Sequence, residues 1–589
     1  MGGDASARRP EVGPVALVAR VLPDVAGLDK EFDYLVPETL APQVRVGTRV
    51  RVELHGRRVG GWVLSLGSEA PPGVALKPLA AVTGWGPSED VISLAAWAAW
   101  RWAGRRSHFL GTASPEGAVK GLPSLAPASV PEGVRDGLAE EALAHPLSVL
   151  RLPPASDWYP VVLAAAARGT TLVVAPSHAD AAFLAARLRR GGMSVALLPR
   201  EWAVAAAGAR VVVGARSAAW APAVELAAVV VLDEHAEAHS EEGAPTWSAR
   251  DVAVERARRA EVPCVLVSPV PSLEALSSGA SLVRPSRSVE RAGWPVVDVV
   301  DRSREDPRTA SDLYSSRLVD LVRSGRRVVC VLNRKGRARL LVCASCSELA
   351  RCEACGAAVT ADGERARLGC GSCGTVRPAV CLVCGAGRFK ARRLGVTRAR
   401  EDLERLSGAA VAEVTGESGP LPDVPVLVGT EAVLHRAERA DAVAFLDLDG
   451  ELLAPRYRAA EDTLGLLARA ARLVGGRDGG GRLLVQTRLP QHEVVQSVLH
   501  ADPSRFTAAE SARRTDLAFP PFAALAEVKG VNADAYVSPL RGRPDVEVLG
   551  PADGAYLLRA PDHPTLCDAL ATLTRPPGRL RVAVDPRRI

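Results

Sequence analysis

The sequence predicts a multidomain α/β protein with an N-terminal β-rich domain, two parallel α/β lobes, a cysteine-rich insertion and a small α+β C-terminal domain. Three observations predict this fold class. The chain has 589 residues, too many for one hydrophobic core. Two series of short Val-rich strands alternate with helix-length segments, the pattern of parallel sheets covered by helices. Eight of the 11 cysteines lie between residues 343 and 384, inside the second series.

The N-terminal region begins with a polar tail that we expect to be disordered and that lacks the apolar run of a secretory signal. Apolar and charged residues then alternate around Val50, Val52 and Leu54, which predicts a half-buried sheet with a basic outer face. Residues 111–135 are rich in Pro, Gly and Ser and indicate a linker or a small, eroded domain. The predicted divisions are 1–14 for the tail, 15–110 for the β-rich domain, 111–145 for a linker or a reduced winged helix, 146–290 for the first lobe, 291–342 with 385–501 for the second lobe, 343–384 for the cysteine module and 502–589 for the C-terminal domain.

The buried strands of the two lobes can be read directly from the sequence. Those of lobe 1 are predicted in TLVVAPS, ARVVVGARS, LAAVVVLDEH and PCVLVSPV. Those of lobe 2 are predicted in RRVVCVLN, VPVLVGT, DAVAFLDLD and GRLLVQT. The cysteine module interrupts lobe 2 after its first strand.

Composition limits the classes of function. The formal charge of +6 permits nucleic-acid binding without requiring it. The large excess of arginine over lysine is explained by the codon bias of a GC-rich genome. No stretch approaches 18 uninterrupted apolar residues, so we expect no membrane span. Cysteines in regular pairs suit metal binding in a reducing compartment, and the sequence therefore predicts a cytoplasmic protein.

The cysteine module contains four Cys-x2-Cys pairs. Each pair gives two thiolates to one face of a metal ion, and two pairs complete the tetrahedral site that Zn²⁺ favours. Eight ligands therefore predict two structural zinc ions per chain, with no open coordination position and no catalytic role. Spacing alone leaves open which pairs share a metal. The predicted ligands are Cys343, Cys346, Cys352, Cys355, Cys370, Cys373, Cys381 and Cys384.

The cysteine spacing after VLNRKGRARLLVC resembles that of the bacterial replication-restart (PriA, or primosomal protein N′) family. LPDVAGLDKEFDYLVPETL and VGTRVRVEL are similar to the family's N-terminal domain, which binds the 3′ end of the leading strand at a fork. VVVGARSAAWAPAVELAAVVVLDEH resembles its first RecA-like helicase lobe. LDLDGELLAPRYRAAEDTLGLLARAARLVGG and FPPFAALAEV resemble its second lobe and C-terminal domain. The resemblance extends from about residue 15 to residue 560.

The resemblance implies specific site residues. It places Cys343, Cys346, Cys381 and Cys384 on one zinc ion and Cys352, Cys355, Cys370 and Cys373 on the other. It places the terminal nucleotide against Phe32, Asp33, Tyr34 and Lys77. An aromatic ring can stack on a base, and a carboxylate can accept a hydrogen bond from a free 3′-hydroxyl. The alternative is a strand whose Phe and Tyr only pack the core.

The nucleotide-binding motif of the family is missing. A phosphate cradle needs glycine amides, a lysine and a hydroxyl, but the lysine and hydroxyl positions carry Trp158 and Tyr159. No lysine lies between residues 121 and 334. Asp233 and Glu234 remain as a vestigial nucleotide site, with a helix cap or solvated acids as the expected role. The family's two arginine positions in lobe 2 fall at Leu473 and Gly476, although Arg469, Arg472 and Arg477 lie close to them.

The leading hypothesis is a degenerate superfamily 2 helicase without catalytic residues, which recognises abandoned forks and promotes reloading of the replicative helicase. The implied partners are forked or branched DNA with a leading-strand 3′ end, a single-strand DNA-binding protein, and the replicative helicase or its loader. We expect a monomer. One alternative is an active 3′-to-5′ ATP-dependent helicase with an atypical nucleotide site, and another is a structural adaptor that binds proteins. The family's winged helix is expected to be reduced, because few residues separate His108 from His145.

Overall fold

The computed structural model describes residues 17–67, 75–125, 136–304, 313–332, 341–346, 348–362, 367–371, 373–391, 395–416 and 418–588. The predicted tail at 1–14 lies outside these ranges. The predicted fold class is confirmed, because a β-rich N-terminal sheet, two parallel sheets and a cysteine module follow one another along the chain. In the described part of the chain, no helix combines the length and the hydropathy needed to cross a bilayer.

The N-terminal sheet is antiparallel, with strand order β2-β1-β4-β3-β5. Val50 and Val52 face its core while Arg51 and Glu53 face outward, as the alternation predicted. Two helices follow, and Trp102 and Phe109 on them pack against Trp220 of lobe 1 in one hydrophobic cluster. The elements are β1 Val18–Pro23, β2 Phe32–Leu35, β3 Arg49–Leu54, β4 Arg57–Gly67, β5 Ala81–Gly84, α1 Glu89–Arg101 and α2 Arg106–Ala113.

Lobe 1 is a seven-stranded parallel sheet with strand order β12-β6-β11-β10-β7-β9-β8. Its central strands are buried on both faces, which explains their continuous Val-rich sequence. The elements are α3 Gly137–Leu143, β6 Leu147–Arg151, α4 Tyr159–Arg168, β7 Thr170–Val174, α5 His178–Arg190, β8 Val195–Leu197, α6 Trp202–Ala206, β9 Val211–Gly214, β10 Leu226–Leu232, α7 Ala249–Ala260, β11 Cys264–Ser268, α8 Leu273–Ser277 and β12 Ser281–Val283.

The predicted linker at 111–145 is wrong at its C-terminal end. Helix α3 begins after Asp136, whose side chain accepts the amides of Leu138 and Ala139 as an N-cap. Ala139 and Leu143 are buried in the same cluster as the strands and helices of lobe 1. An apolar helical face cannot remain in a solvated linker, so this segment belongs to lobe 1. Residues 126–135 lie outside the described ranges.

Lobe 2 is a six-stranded parallel sheet with strand order β13-β23-β22-β14-β21-β20. The cysteine module leaves it after β14, as predicted, and carries the small strands β15–β19. The elements are α9 Arg287–Ala292, β13 Val296–Asp301, α10 Ser316–Arg323, β14 Val328–Val331, β15 Leu341–Cys343, β16 Val359–Asp362, β17 Arg367–Cys370, β18 Val376–Pro378, β19 Phe389–Ala391, α11 Val396–Ser407, β20 Val411–Val414, β21 Val426–Gly429, α12 Ala432–Arg436, β22 Ala442–Phe445, α13 Asp449–Leu452, α14 Ala459–Val474 and β23 Arg482–Thr487.

The C-terminal region contains a four-stranded antiparallel sheet with strand order β25-β26-β24-β27. The two helices that precede this sheet pack on lobe 2, because Val494 of the first and Phe506 of the second lie in its core cluster. The elements are α15 Glu493–Leu499, α16 Ser504–Asp516, β24 Ala524–Gly530, α17 Ala533–Val537, β25 Glu547–Ala552, β26 Ala555–Ala560, α18 His563–Ala571 and β27 Leu580–Val584.

One edge of the lobe 1 sheet positions the two acids that were predicted to be a vestigial nucleotide site. Strands β6, β10 and β11 run parallel, so the loops that follow them meet at their common carboxyl edge. Helix α14 of lobe 2 lies against this edge, where Arg472 reaches Asp233 after β10. Asp233 and Arg472 therefore meet in the cleft between the two lobes, where the sequence predicted the vestigial nucleotide site.

Candidate functional site

The eight cysteines of the module form two groups of four. The groups are Cys343, Cys346, Cys381 and Cys384, and Cys352, Cys355, Cys370 and Cys373. Sγ atoms of opposite pairs approach to between 3.4 and 3.6 Å. Four sulfurs bound at about 2.3 Å around a tetrahedral ion would lie about 3.8 Å apart, so the donor sets fit such an ion closely. The grouping is the one that the family resemblance implied.

Three of the four cysteine pairs share the same local backbone geometry. Gly356, Gly374 and Gly385 each follow the second cysteine of a pair, have φ near +73°, and donate an amide to the first cysteine's carbonyl at 2.9–3.0 Å. The amide of Ser345 also donates to Cys343 Sγ at 3.4 Å. Burial acts to raise the pKa of the Cys343 thiol, but backbone amide donors outweigh it and lower the pKa to about 6. These amide donors favour the thiolate that a metal needs.

The four residues implied as contacts for a DNA 3′ end lie on β2 and just before β5, but they do not share one face. Strand alternation turns Phe32 and Tyr34 to one side and Asp33 to the other. The Asp33 carboxylate accepts a hydrogen bond from Arg20 Nε on β1 at 2.9 Å. The Phe32 ring is half-buried, with Lys30 Nζ 5.6 Å from its centroid.

Tyr34 is a core residue, and the implied stacking role is wrong for it. Its side chain is buried, with the residue 3% exposed, and its hydroxyl donates to the Glu53 carbonyl at 3.1 Å. Lys77 Nζ donates to the Glu53 carboxylate at 2.7 Å. Tyr34 and Lys77 are thus linked through Glu53, and of the four implied residues Phe32, Asp33 and Lys77 present accessible groups.

The loop after β6, residues 152–158, stands where a helicase lobe has its phosphate cradle. Pro153 and Pro154 have no amide hydrogen to offer a phosphate. The Asp157 carboxylate accepts the amide of Tyr159 at 3.0 Å, at the N-terminus of α4. A helix N-terminus in this position would otherwise attract a phosphate group. The chain therefore satisfies this anion site with its own carboxylate.

Arg472 of lobe 2 crosses the cleft to the acidic position of lobe 1. Its Nη2 donates to Asp233 Oδ1 at 2.8 Å, and its Nη1 donates to Oδ2, which makes the ion pair bidentate. Its Nε donates to the Pro154 carbonyl at 3.1 Å, and its guanidinium lies 4.3 Å from the Trp158 ring centroid. One side chain thus joins the loop, the strand end and the opposite lobe.

The two acids after β10 are buried in ion pairs, so the expected role of solvated acids or a helix cap is wrong for Asp233. Burial acts to raise the pKa of Asp233, but Arg472 outweighs it and holds this pKa below its usual value. Glu234 accepts the amide of Ser272 at 2.7 Å, but the side chain that caps α8 is that of Ser272 itself, so Glu234 holds the cap residue and is not the cap. Burial raises the pKa of Glu234. Neither carboxylate is left free to hold a metal ion.

Gly476, one of the two positions where the family's arginines were expected, is closed by packing. A Cβ at Gly476 would stand 2.5 Å from the Ala292 carbonyl, so no arginine fits there without a backbone shift. A Cβ at Gly293 would stand 2.6 Å from Pro153, which packs directly on it. The loop and the start of lobe 2 are therefore in contact, and the cleft is narrow at this point.

A second group of ion pairs joins the lobes to the C-terminal region. Glu461 of α14 accepts the amide of Leu273 of lobe 1 at 3.1 Å and pairs with Arg514 of α16 at 2.9 Å. Arg458 pairs with both Glu461 and Glu274. Burial acts to raise the pKa of Glu461, but Arg514 and Arg458 outweigh it and depress this pKa strongly. The network connects three segments of the chain at one buried point.

Comparison with known proteins identifies the family. Residues 20–115 match the PriA family model described as "3′DNA-binding domain (3′BD)". The probable replication restart protein PriA of Mycobacterium tuberculosis (strain CDC 1551 / Oshkosh) is 31% identical over 590 residues, 90% of each chain. The chain belongs to the PriA family of replication restart proteins. The PriA proteins of Mycobacterium leprae (30% identical, 91% of each chain) and Bacillus subtilis (26%, 58% of this chain and 47% of that one) are also similar.

The solved structures that match part of the chain include a DEAD box protein from Methanococcus jannaschii, which is 9% identical. The match covers 62% of this chain and 90% of that chain, with a TM-score of 0.30.

Sequence reasoning missed the role of Arg472. It noted Arg472 near the expected arginine positions of the PriA family but assigned those positions to Leu473 and Gly476. The signal available was the helical spacing of buried Leu464, Ala468 and Ala471 on α14, which fixes the helix face turned to the lobe 2 core and leaves Arg472 at its margin. That spacing does not say which lobe 1 group the arginine meets.

Proposed function

We propose that this PriA-family protein recognises branched DNA at abandoned replication forks and promotes reloading of the replicative helicase without hydrolysing ATP. The observation that carries the DNA part is the match of residues 20–115 to the family's 3′ DNA-binding domain. Reloading involves a single-strand DNA-binding protein and the replicative helicase or its loader, and the protein acts as a cytoplasmic monomer. These partners follow from the family and not from any surface described above.

The 3′-terminal nucleotide binds around β2, with Phe32 on one face of the strand, Asp33 on the other face and Lys77 on the adjoining segment. The half-buried Phe32 ring offers a face to the terminal base, and Lys77 offers a cation to the adjacent phosphate. The Asp33 carboxylate accepts a hydrogen bond from a free 3′-hydroxyl while Arg20 remains its second partner. Tyr34 supports this strand from within the core through Glu53.

The two cysteine groups hold structural zinc. Thiolates are the ligands that Zn²⁺ prefers at closed tetrahedral sites, and each group supplies four of them. Bound zinc would order a module that has few large apolar side chains of its own. Because neither group has an open position, the ions take no part in chemistry.

The absence of ATP turnover is supported by the contents of the cleft. The space where phosphate and Mg²⁺ would bind is crossed by Arg472, and the acid that would hold the metal already has a bidentate cationic partner. The described part of lobe 1 contains no lysine to neutralise the phosphates. Binding a nucleotide would require breaking the Arg472–Asp233 pair before any contact was gained.

Fluorescence anisotropy tests the DNA proposal with three labelled substrates. These are a fork whose leading-strand 3′-hydroxyl lies at the junction, the same fork ending in a 3′-phosphate, and a blunt duplex. We expect the tightest binding to the 3′-hydroxyl fork and a loss of that preference in Asp33→Ala, with Asp24→Ala as the control on the same domain. Equal affinity of the wild-type protein for all three substrates would refute the proposal.

An assay of DNA-stimulated ATP hydrolysis tests the proposal that the protein does not hydrolyse ATP. We expect no phosphate release above background with the 3′-hydroxyl fork, with single strands or without DNA. A robust rate that Asp233→Ala abolished would establish the active helicase as the correct alternative.

A further inference from the structure

Exposed aliphatic side chains concentrate at one place on the cysteine module. Val376, Val380, Leu382 and Val383 are all exposed, and the last two reach 61% and 69%. Leu382 and Val383 are the two intervening residues of the pair Cys381-x2-Cys384, so they form the tip of a metal-binding turn. Large aliphatic groups are rarely left in water in such a cluster unless they contact a partner.

The tip is held rigidly. The amide of Cys381 donates to the Ala386 carbonyl at 2.9 Å, and the amide of Gly385 donates to the Cys381 carbonyl at 2.9 Å. Arg377 Nη1 donates to the Val380 carbonyl at 2.6 Å and fixes the approach to the turn. Because the turn is already ordered, contact made by its two aliphatic side chains loses little conformational entropy.

Two exposed cations follow this aliphatic tip in the sequence. Arg388 and Lys390 follow it on and beside β19, both exposed, and neither forms an ion pair with any residue that the structure describes. The stretch 341–393 has eight basic and four acidic residues. The complementary partner is therefore anionic and presents apolar surface between its charges.

We propose that Leu382 and Val383 are an apolar wedge that enters a base step at the single-strand to double-strand junction of branched DNA, while Arg388 and Lys390 bind the flanking phosphates. Aliphatic side chains that insert between bases are a recurrent way of unstacking a duplex. Four aliphatic side chains are too few for a protein interface of ordinary size, about 800 Å² per partner. The inference rests on the proposed binding of branched DNA and adds the place and the chemistry of a second contact.

The direct test places 2-aminopurine, whose fluorescence rises when it is unstacked, at the junction of a splayed duplex without a 3′ end at the branch. We expect the signal to rise with the wild-type protein and to stay at the level of free DNA with Leu382→Ser/Val383→Ser. Affinity for this junction should fall by at least about tenfold in that variant, because the apolar surface that the two side chains bury between the bases is lost. Affinity for blunt duplex should not change.

The matched control is Val224→Ser/Val531→Ser, which alters two exposed valines outside the module; Val531 is 92% exposed. It should behave as the wild type. Arg388→Gln/Lys390→Gln should reduce the slope of log affinity against log salt by about 1.4–1.8, the share of two phosphate contacts. Zinc content, measured after thiol modification, should be unchanged in every variant, which establishes that the turn remains folded.

The outcomes separate this inference from the proposed function. If the wild-type protein prefers the 3′-hydroxyl fork but the Leu382/Val383 variant unstacks the junction as well as the wild type does, the wedge is refuted and the proposed function stands. If the wild type ignores the 3′ end but unstacks the splayed junction through Leu382 and Val383, the proposed function fails and the wedge stands. A tip that bound only an acidic protein segment would give the first of these results.

Discussion

Replacing Arg472 by leucine should open the cleft between the lobes. The Asp233 side chain is only 6% exposed and has Arg472 as its bidentate partner, so the variant leaves a buried carboxylate without compensation. Removing one partner of a buried ion pair costs about 3–5 kcal/mol. Because the Arg472 side chain is itself 27% exposed, we expect the lower end, about 3 kcal/mol.

Hydrogen exchange measured by mass spectrometry reports the effect locally. A loss of about 3 kcal/mol in the free energy of cleft opening corresponds to a fall of about a hundredfold in amide protection. The fall should appear in α14 and at the start of α4, and not in the C-terminal sheet. Arg477→Leu is the matched control, because Arg477 lies five residues along the chain and is exposed.

A second substitution decides whether loss of the ion pair causes the fall in amide protection. Asp233→Asn removes the buried charge, so Asp233→Asn/Arg472→Leu should recover part of the protection that Arg472→Leu alone loses. If the Arg472→Leu profile matches that of Arg477→Leu, or if the double variant loses the sum of the two single losses, the reasoning is refuted. Arg472 holds the pKa of Asp233 below its usual value. The stabilisation that the Arg472–Asp233 ion pair gives to the folded state is therefore complete above about pH 4. It is lost as pH falls through the folded-state pKa.

Three further predictions concern other sites. Cys381→Ser should release one zinc ion of two and retain the other, measured by elemental analysis, because the two groups share no ligand; loss of both ions would contradict independent sites. Burial raises the pKa of Glu451 to about 7, so the folded state holds a proton that the unfolded state releases, and stability falls as pH rises from about 4.5 to 7. Glu451→Gln should therefore raise the melting temperature at pH 8 and leave it nearly unchanged at pH 5, whereas an equal effect at both pH values would exclude this cause. Trp158→Lys/Tyr159→Thr should fail to restore nucleotide binding by calorimetry, because Arg472 still occupies the cleft; measurable ATP binding would show that side-chain identity alone had closed the site.

Local patterns in the sequence were sufficient for the module and for the strands of the lobes. The spacing of the cysteines specifies two tetrahedral donor sets, because two residues between ligands bring both thiolates to one face. The Val-rich runs specify buried parallel strands, because only a sheet covered on both faces keeps such runs from water. The absence of lysine from residues 121–334 excludes the ordinary phosphate anchor without any structure.

Residue roles that depend on distant parts of the chain could not be predicted in this way. Whether Tyr34 faces the core or the solvent depends on the phase of its strand against β1, and a shift of one residue would reverse it. The apolar partners of helix α3 lie in strands and helices further along the chain, so its local sequence does not show that it packs on lobe 1.

The sequence alone therefore determined the predicted metal ligands, the buried strands and the lack of a lysine that could anchor phosphate in lobe 1. Only the tertiary structure decided which side chain occupies the cleft between the two lobes. Arg472 and Asp233 are 239 residues apart, and they meet only because α14 docks on the carboxyl edge of the lobe 1 sheet. A buried carboxylate needs a cationic partner, but no local pattern tells which of 67 arginines the packing of two lobes will deliver to it.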